Sequence, residues 1–294
     1  MSRQKTYPGG TKKSRSPLGE IWHRMLHNKS AMVGMIILSV LLLLMIISFF
    51  VISFEDVMRT NNTLLFAKPS VKHLFGTDNL GRDMLARCLY GIRYSLCIGV
   101  LSVLGALIIG VVLGALAGYY GGKTETVIMR LNDVLASIPG LLLGMVVVTV
   151  MGNNLFNLII AVLIPAIPGF VRITRASVLT VIGQDYVEAA RSIGMSDLRI
   201  IFTQVVPNGL SPIIVQTTSS IGTSIIVAAG LSFLGFGLPV PTPEWGAMIT
   251  IGRDYIRAAP HLTLFPGLFI MISVLAFNIM GDGLRDALDP KLKR

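Results

Sequence analysis

Charge is scarce in this chain. Asp, Glu, Lys and Arg make up 14% of its 294 residues, against about 25% in a soluble domain. With 53% hydrophobic residues and a mean hydropathy of +0.72, the deficit excludes an ordinary soluble fold and points to a membrane. Cysteine is scarcer still. Cys88 and Cys97 are too few for a disulfide framework, and Cys97, inside an apolar run, reads as a small packing residue. The histidines His23, His27, His73 and His261 have no ligand spacing, and there is no HExxH, no CxxC and no nucleophile motif. These absences argue against an enzyme and leave no call for a metal or cofactor. The apolar runs carry no charge in their central parts, which argues against a proton-coupled carrier. Sodium coupling through backbone carbonyls stays open. The net charge of +10 has no aromatic-interleaved basic patch, so nucleic acid is set aside. The surplus speaks instead to topology and to anionic lipid.

What the chain does have is apolar runs: 31–53, 94–118, 134–152, 155–171, 209–233 and 261–281. They predict an all-α, polytopic membrane protein with six transmembrane helices. Residues 1–30 read as a tail followed by a surface helix over 17–29, with Leu18, Ile21, Trp22, Met25 and Leu26 on one face. The run 31–53 is long enough to cross and reads as a retained anchor. Residues 54–92 are polar and irregular. His73, Asp78 and Asp83 there are metal-ligand residue types, but their spacing matches no ligand pattern. A five-helix core over 93–283 and a short tail over 284–294 complete the chain. Gly110, Gly114 and Gly118 repeat the spacing that lets membrane helices approach closely. Pro165 and Pro168 should kink or end the fourth run. Pro239, Pro241 and Pro243 break the chain before Glu244 to Arg257, expected to be a surface helix anchored by Trp245 and Tyr255.

With the amino terminus inside and six spans, most of the 25 Lys and Arg residues fall on inner segments. The positive-inside rule therefore favours cytoplasmic termini. It makes 54–92 and 234–260 outer segments and 172–208 an inner loop.

That inner loop holds a polar island, Asp185 to Pro207. Locally it reads as helix, turn, helix. Glu188, Ala189, Ala190 and Arg191 favour a helix, Gly194 can take the left-handed conformation that ends one, and Ser196 with Asp197 can start the next. Pro207 should stop or kink it. Two readings compete: small residues beside a carboxylate that receive another protein's surface, or a solvated loop with Glu188 paired to Arg191.

Ala117-Gly118-Tyr119-Tyr120-Gly121-Gly122-Lys123-Thr124 fits a relaxed phosphate-loop pattern. That loop needs a strand before it, and here an apolar run too long for a strand precedes it. Lys123 reads as a topology anchor instead. The chain is expected to move a solute with energy supplied by another subunit.

Glu188-Ala189-Ala190, followed by Gly194 and Pro207, resembles the EAA loop of ABC importer permeases, with Gln204 and Val206 departing from the usual tail. Four more segments resemble signatures of dipeptide and oligopeptide permeases: His73 to Asp83, Leu231 to Gly237, Pro241 to Gly246, and Gly283 to Pro290. The likeness covers about 17–294 and points to the C-type of two paired permease subunits. It implies that the ATPase-coupling residues are Glu188, Ala189, Ala190, Gly194, Ser196 and Asp197. It also implies a second permease, two cytoplasmic ATP-binding subunits, an extracytoplasmic peptide-binding protein, and a bacterial or archaeal plasma membrane. Permeases for nickel and other small solutes share these signatures, and a stand-alone secondary carrier is the alternative from another class. In the fifth run, Gln216, Ser220, Thr223 and Ser224 share a helical face, expected either to line a translocation path or to glue two helices together.

Overall fold

The computed structural model describes residues 25–288. The tail and most of the helix expected over 17–29, and the end of the carboxy-terminal tail, lie outside the described residues. In chain order the helices are α1 (Lys29–Val51), α2 (Phe54–Met58), α3 (Met84–Tyr120), α4 (Gly122–Ser137), α5 (Gly140–Met151), α6 (Leu155–Val181), α7 (Asp185–Ser192), α8 (Asp197–Ile200), α9 (Val206–Asn208), α10 (Leu210–Phe233), α11 (Trp245–Arg253) and α12 (His261–Leu288). Among the described residues there is no strand, only an isolated bridge between Thr77 and Asp83.

Five helices, α1, α3, α6, α10 and α12, are long and apolar enough to cross a membrane. The third expected span, 134–152, is not a straight helix. It falls across α4 and α5, which meet at a bend of 88°. Pro139 lacks an N–H and pushes Ile138 into an extended conformation (φ −88°, ψ 127°). The 12 residues of α5 reach only about 18 Å, short of a hydrocarbon core of about 30 Å. Counted as one broken span, the pair makes the sixth crossing.

Helix α3 is the axis of the bundle. Its 37 residues reach about 55 Å, so it extends well past the run at 94–118 that the apolar pattern marks. Its first turns, within the segment expected to be irregular, carry Arg87, and Arg93 follows just past that segment. Asp83 starts it, accepting from Ala86 N at 2.8 Å. Along its apolar stretch α3 lies against α6. A Cβ at Gly114 would sit 2.5 Å from the Val171 carbonyl oxygen, and one at Gly110 would strike Phe170. The small residues buy that approach. Helix α6 continues through Pro165 and Pro168 to Val181, so neither proline ends it. The Ala161 carbonyl, which Pro165 cannot bond, faces Gly144 of α5. Neighbouring elements make such prolines tolerable inside a membrane bundle.

Helix α1 packs on α12, where a Cβ at Gly34 would lie 2.8 Å from Met280 N. Asn28 caps α1 by accepting from Ser30 N and Ala31 N, and its amide donates to Asp286 of α12 at 3.0 Å.

Candidate functional site

The segment between α6 and α10 folds back on the end of the bundle where α3 stops. Val187, Ala190, Ile200, Ile201, Val205 and Val206 are buried against Ala115 and Tyr119 of α3 and Val178 and Val181 of α6. The loop is thus a two-sided object, with one face joined to the bundle and the other bare. Glu188, Ala189, Gly194, Ser196 and Asp197 are exposed, while Ala190 is turned inward. The two alanines do different jobs: Ala189 leaves room outside and Ala190 packs inside. The bare face also presents apolar groups that the motif does not name, Ile193 at 78% exposure and Leu198 at 58%.

Gly194 has φ +78°, the left-handed conformation that lets α7 end and the chain turn into α8. Gly194 N donates to Arg191 O and Met195 N to Ala190 O, closing the turn. Ser196 stands at the start of α8 without a side-chain cap bond. Arg191 does not pair with Glu188. Its Nε donates to the Tyr119 hydroxyl at 3.2 Å and its guanidinium lies 4.9 Å from that ring's centroid. The same hydroxyl donates to Asp197 Oδ1 at 2.7 Å. Burial in an apolar cluster explains the choice, since a phenol that is 7% exposed needs partners. Sequence reasoning missed Tyr119 although it sits in the false phosphate-loop match. Only its place at the end of an apolar run, beside two glycines, hinted at it.

After α8, Ile201–Val205 is a π-helical turn, with Val206 N bonded to Ile201 O. Pro207 then falls in the first turn of α9, where no N–H is required. The expected stop is therefore a local widening followed by a break at Gly209. Two ion pairs brace the loop's neighbours. Arg175 Nε meets Glu125 Oε1 at 2.6 Å and Arg172 Nη2 meets Asp133 Oδ1 at 2.9 Å, tying α6 to α4.

The four polar residues of α10 do not form one open face. Gln216 Nε2 donates to Ser220 Oγ at 3.1 Å, both half-buried. Thr223 is exposed and bonds back to Ser219 O at 3.4 Å. Ser224 is 4% exposed and turned into the protein, which corrects its grouping with the others. The cause is helix packing: α10 is wedged between α3 and α12, so its spacing places Ser224 inside. Gln216 also lines a cleft of about 420 Å³ with Ser211, Val215 and Arg285.

At the opposite end of α3, α11 is not a flat surface helix. Trp245 is fully buried, and its Nε1 donates to Cys88 O at 3.0 Å. Glu244 caps α11, accepting from Gly246 N and Ala247 N at 2.8 Å each, with Ser95 Oγ at 3.4 Å. Burial pushes the Glu244 carboxyl above its ordinary range, against the pull of those backbone N–H groups. Tyr255, the other expected anchor, sets its ring against Phe66, with centroids 4.7 Å apart and planes tilted by 51°. The candidate metal residues divide into two sets. His73 Nδ1 lies 2.7 Å from Asp83 Oδ2. Asp78 accepts from Arg82 Nε at 2.7 Å and lies 3.5 Å from Arg87 Nε. Among the described residues no group of three such side chains could hold a metal.

The chain resembles known proteins along nearly all its length. The family described as "Binding-protein-dependent transport system inner membrane component" matches residues 110–294, and "N-terminal TM domain of oligopeptide transport permease C" matches 16–69. The di/tripeptide transport system permease protein DppC of Pseudomonas aeruginosa is 44% identical over 284 residues, 95% of this chain and 93% of that protein. The glutathione transport system permease protein GsiD of Pectobacterium atrosepticum is 43% identical over 282 residues, 96% and 94% of the two chains. Among solved structures, an inward-facing form of the MetNI methionine ABC transporter aligns with a TM-score of 0.58 at 19% identity. It covers 70% of this chain and 98% of that one, a likeness of fold. The long apolar helices are thus those of a known fold, and this chain belongs to the family of binding-protein-dependent transport system inner membrane components.

Proposed function

We propose that the chain is the C-type permease of an ATP-driven importer of dipeptides or oligopeptides. The observation that carries the mechanism is the two-sided loop. Its inner face is locked to α3 and α6, while Glu188, Ala189 and Ile193 stand free on the other. An exposed apolar residue such as Ile193, beside a small residue and a carboxylate, suits a groove on another protein. On this reading the groove belongs to a cytoplasmic ATPase subunit. The chain hydrolyses nothing itself, and Glu188, Ala189, Gly194 and Ser196 form the contact.

As an ABC importer permease the chain sits in the bacterial inner membrane with further subunits. The finer arrangement belongs to the proposal: cytoplasmic termini, a second permease across the path, two ATP-binding subunits below and a peptide-binding protein outside. The peptide cargo is supported by relatives named for dipeptide, tripeptide and glutathione transport. Gln216, Ser220 and Thr223 would face the path, offering amide and hydroxyl groups that bond a peptide backbone without selecting its side chains. The test is uptake of a labelled dipeptide into vesicles holding the complete importer. Uptake should require ATP and the binding protein, and Ile193→Asp should abolish it. Uptake by this chain alone, driven by an ion gradient, would overturn the reading.

A further inference from the structure

Tyr119 is the penultimate residue of α3, and its ring is buried among Val178, Val187, Ala190 and Ile200. Its hydroxyl joins two residues on opposite sides of the turn at Gly194. It donates to Asp197 at the start of α8 and accepts from Arg191 at the end of α7. Gly194 has open space around its Cβ position, while Met195 beside it packs against the apolar cluster. Backbone bonds close the turn, and Tyr119 adds a side-chain bridge across it. Bonds in which one partner is charged are the stronger kind, and here both partners of the hydroxyl are charged side chains.

We infer that Tyr119 is a positioning residue for coupling: its hydroxyl sets the angle between α7 and α8. A push on the loop is then delivered to α3, and through the close contact at Gly114 to α6, instead of being absorbed at Gly194. The inference rests on reading this loop as the ATPase contact. It assigns Asp197 a new role. Although exposed, Asp197 holds the loop to its own spans and is not part of the contact with the ATPase.

The test uses the complete importer, reconstituted with its ATPases and binding protein, and Tyr119→Phe, which keeps the ring and removes the hydroxyl. A lost hydrogen bond between a hydroxyl and charged groups should lower dipeptide uptake per ATP hydrolysed roughly tenfold, with hydrolysis itself within about twofold of the parent. Asp197→Ala, which removes the acceptor, should act in the same direction. The double variant should be no worse than the single ones, because both remove one bridge. Backbone amide exchange should rise from Val187 to Ile200 and stay unchanged from Leu96 to Gly114. An unchanged uptake-to-hydrolysis ratio in both single variants would overturn the inference. So would an equal loss of uptake and hydrolysis with normal exchange. If Tyr119→Phe fails to assemble, the same ratio measured on Asp197→Ala decides. Failure of the peptide reading is distinguishable: the parent would take up no dipeptide, while the exchange pattern would still report the bridge.

Discussion

Arg93 closes the open end of α1 at Ser48. Its Nε donates to Ser48 Oγ at 2.9 Å, and its guanidinium reaches the Ser48 carbonyl and, at 3.0 Å, that of Ile52. The last carbonyls of a helix have no partner of their own, and α1 has no basic residue in its last turn. An arginine of α3 adds a second donor to the Ser48 carbonyl, which already accepts from Ile52 N, and supplies one to the Ile52 carbonyl just beyond the helix; it also lies over the rings of Phe49 and Tyr90 at 4.1 and 3.9 Å.

Arg93→Ala should therefore loosen the first span from the core. The loss of bonds to half-buried carbonyls should cost about 2 kcal/mol. Lysine should restore only part, because it lacks the planar fork. Thermal unfolding of the purified protein, with proteolysis at the Ser53–Arg59 connection, reads both effects. Parental stability in Arg93→Ala would remove this contact from the account.

Asp78 carries a larger burden. It is 3% exposed and faces Arg82 and Arg87, themselves 2% and 1% exposed. Asp78→Asn leaves two buried cations without their counter-charge, at a cost of about 3–5 kcal/mol. Little folded protein should reach the membrane, as measured by the detergent-soluble, monodisperse fraction. Normal yield would mean that the cluster is solvated.

At Gly194 the expected penalty is purely conformational. With φ +78° and an open Cβ position, a valine meets no neighbour but should cost about 1–2 kcal/mol in backbone strain. Gly194→Val should insert normally and lose uptake, while Gly194→Asn keeps most of it, since asparagine tolerates this region. Equal transport by valine and glycine would sink the prediction.

Glu244 makes the protein sensitive to pH in a defined direction. Burial raises its pKa above the ordinary 4.5, so the folded state holds the proton more tightly than the unfolded one. Stability should fall as pH rises from 4.5 through the raised value. Glu244→Gln, which removes the titration while keeping one of the two acceptor oxygens, should flatten that fall. The melting temperature of the parent should fall across that range more steeply than that of the variant. A parent that gains on the variant as pH rises would reverse the sign and refute the argument.

For the path, Thr223 is the sharper probe because it is exposed, while Ser220 already accepts from Gln216. Thr223→Leu should reduce uptake by narrowing the route and leave the complex assembled. Ser220→Leu should do the same and also free the Gln216 amide. If both variants transport at the parental rate, this face is not the path.

The long helices were legible because crossing hydrocarbon is a demand on local composition. An apolar run of sufficient length satisfies it wherever it lies in the fold. The turn at Gly194 was legible for a similar reason, since a residue without Cβ directly after a run of helix formers carries its own conformational signal. The break at Pro139 and the passage of α6 through Pro165 and Pro168 were not. A proline always removes one N–H, but whether the helix breaks depends on what lies beside the abandoned carbonyl. In α6 that neighbour is α5, and no local pattern names it.

Burial of single side chains was likewise decided by the tertiary structure. Trp245 and Tyr255 look alike as interfacial anchors, yet one is sealed against Cys88 and the other lies partly open beside Phe66. Ser224 and Thr223 are neighbours in sequence and face opposite environments. Arg191 sits three residues from Glu188 and bonds instead to Tyr119, 72 positions away. Composition determined that this chain crosses a membrane and where its loop turns, because those properties need only neighbours along the chain. Which hydroxyl satisfies which charge was decided when α3 met the loop, because a buried polar group takes the partner the packing brings to it.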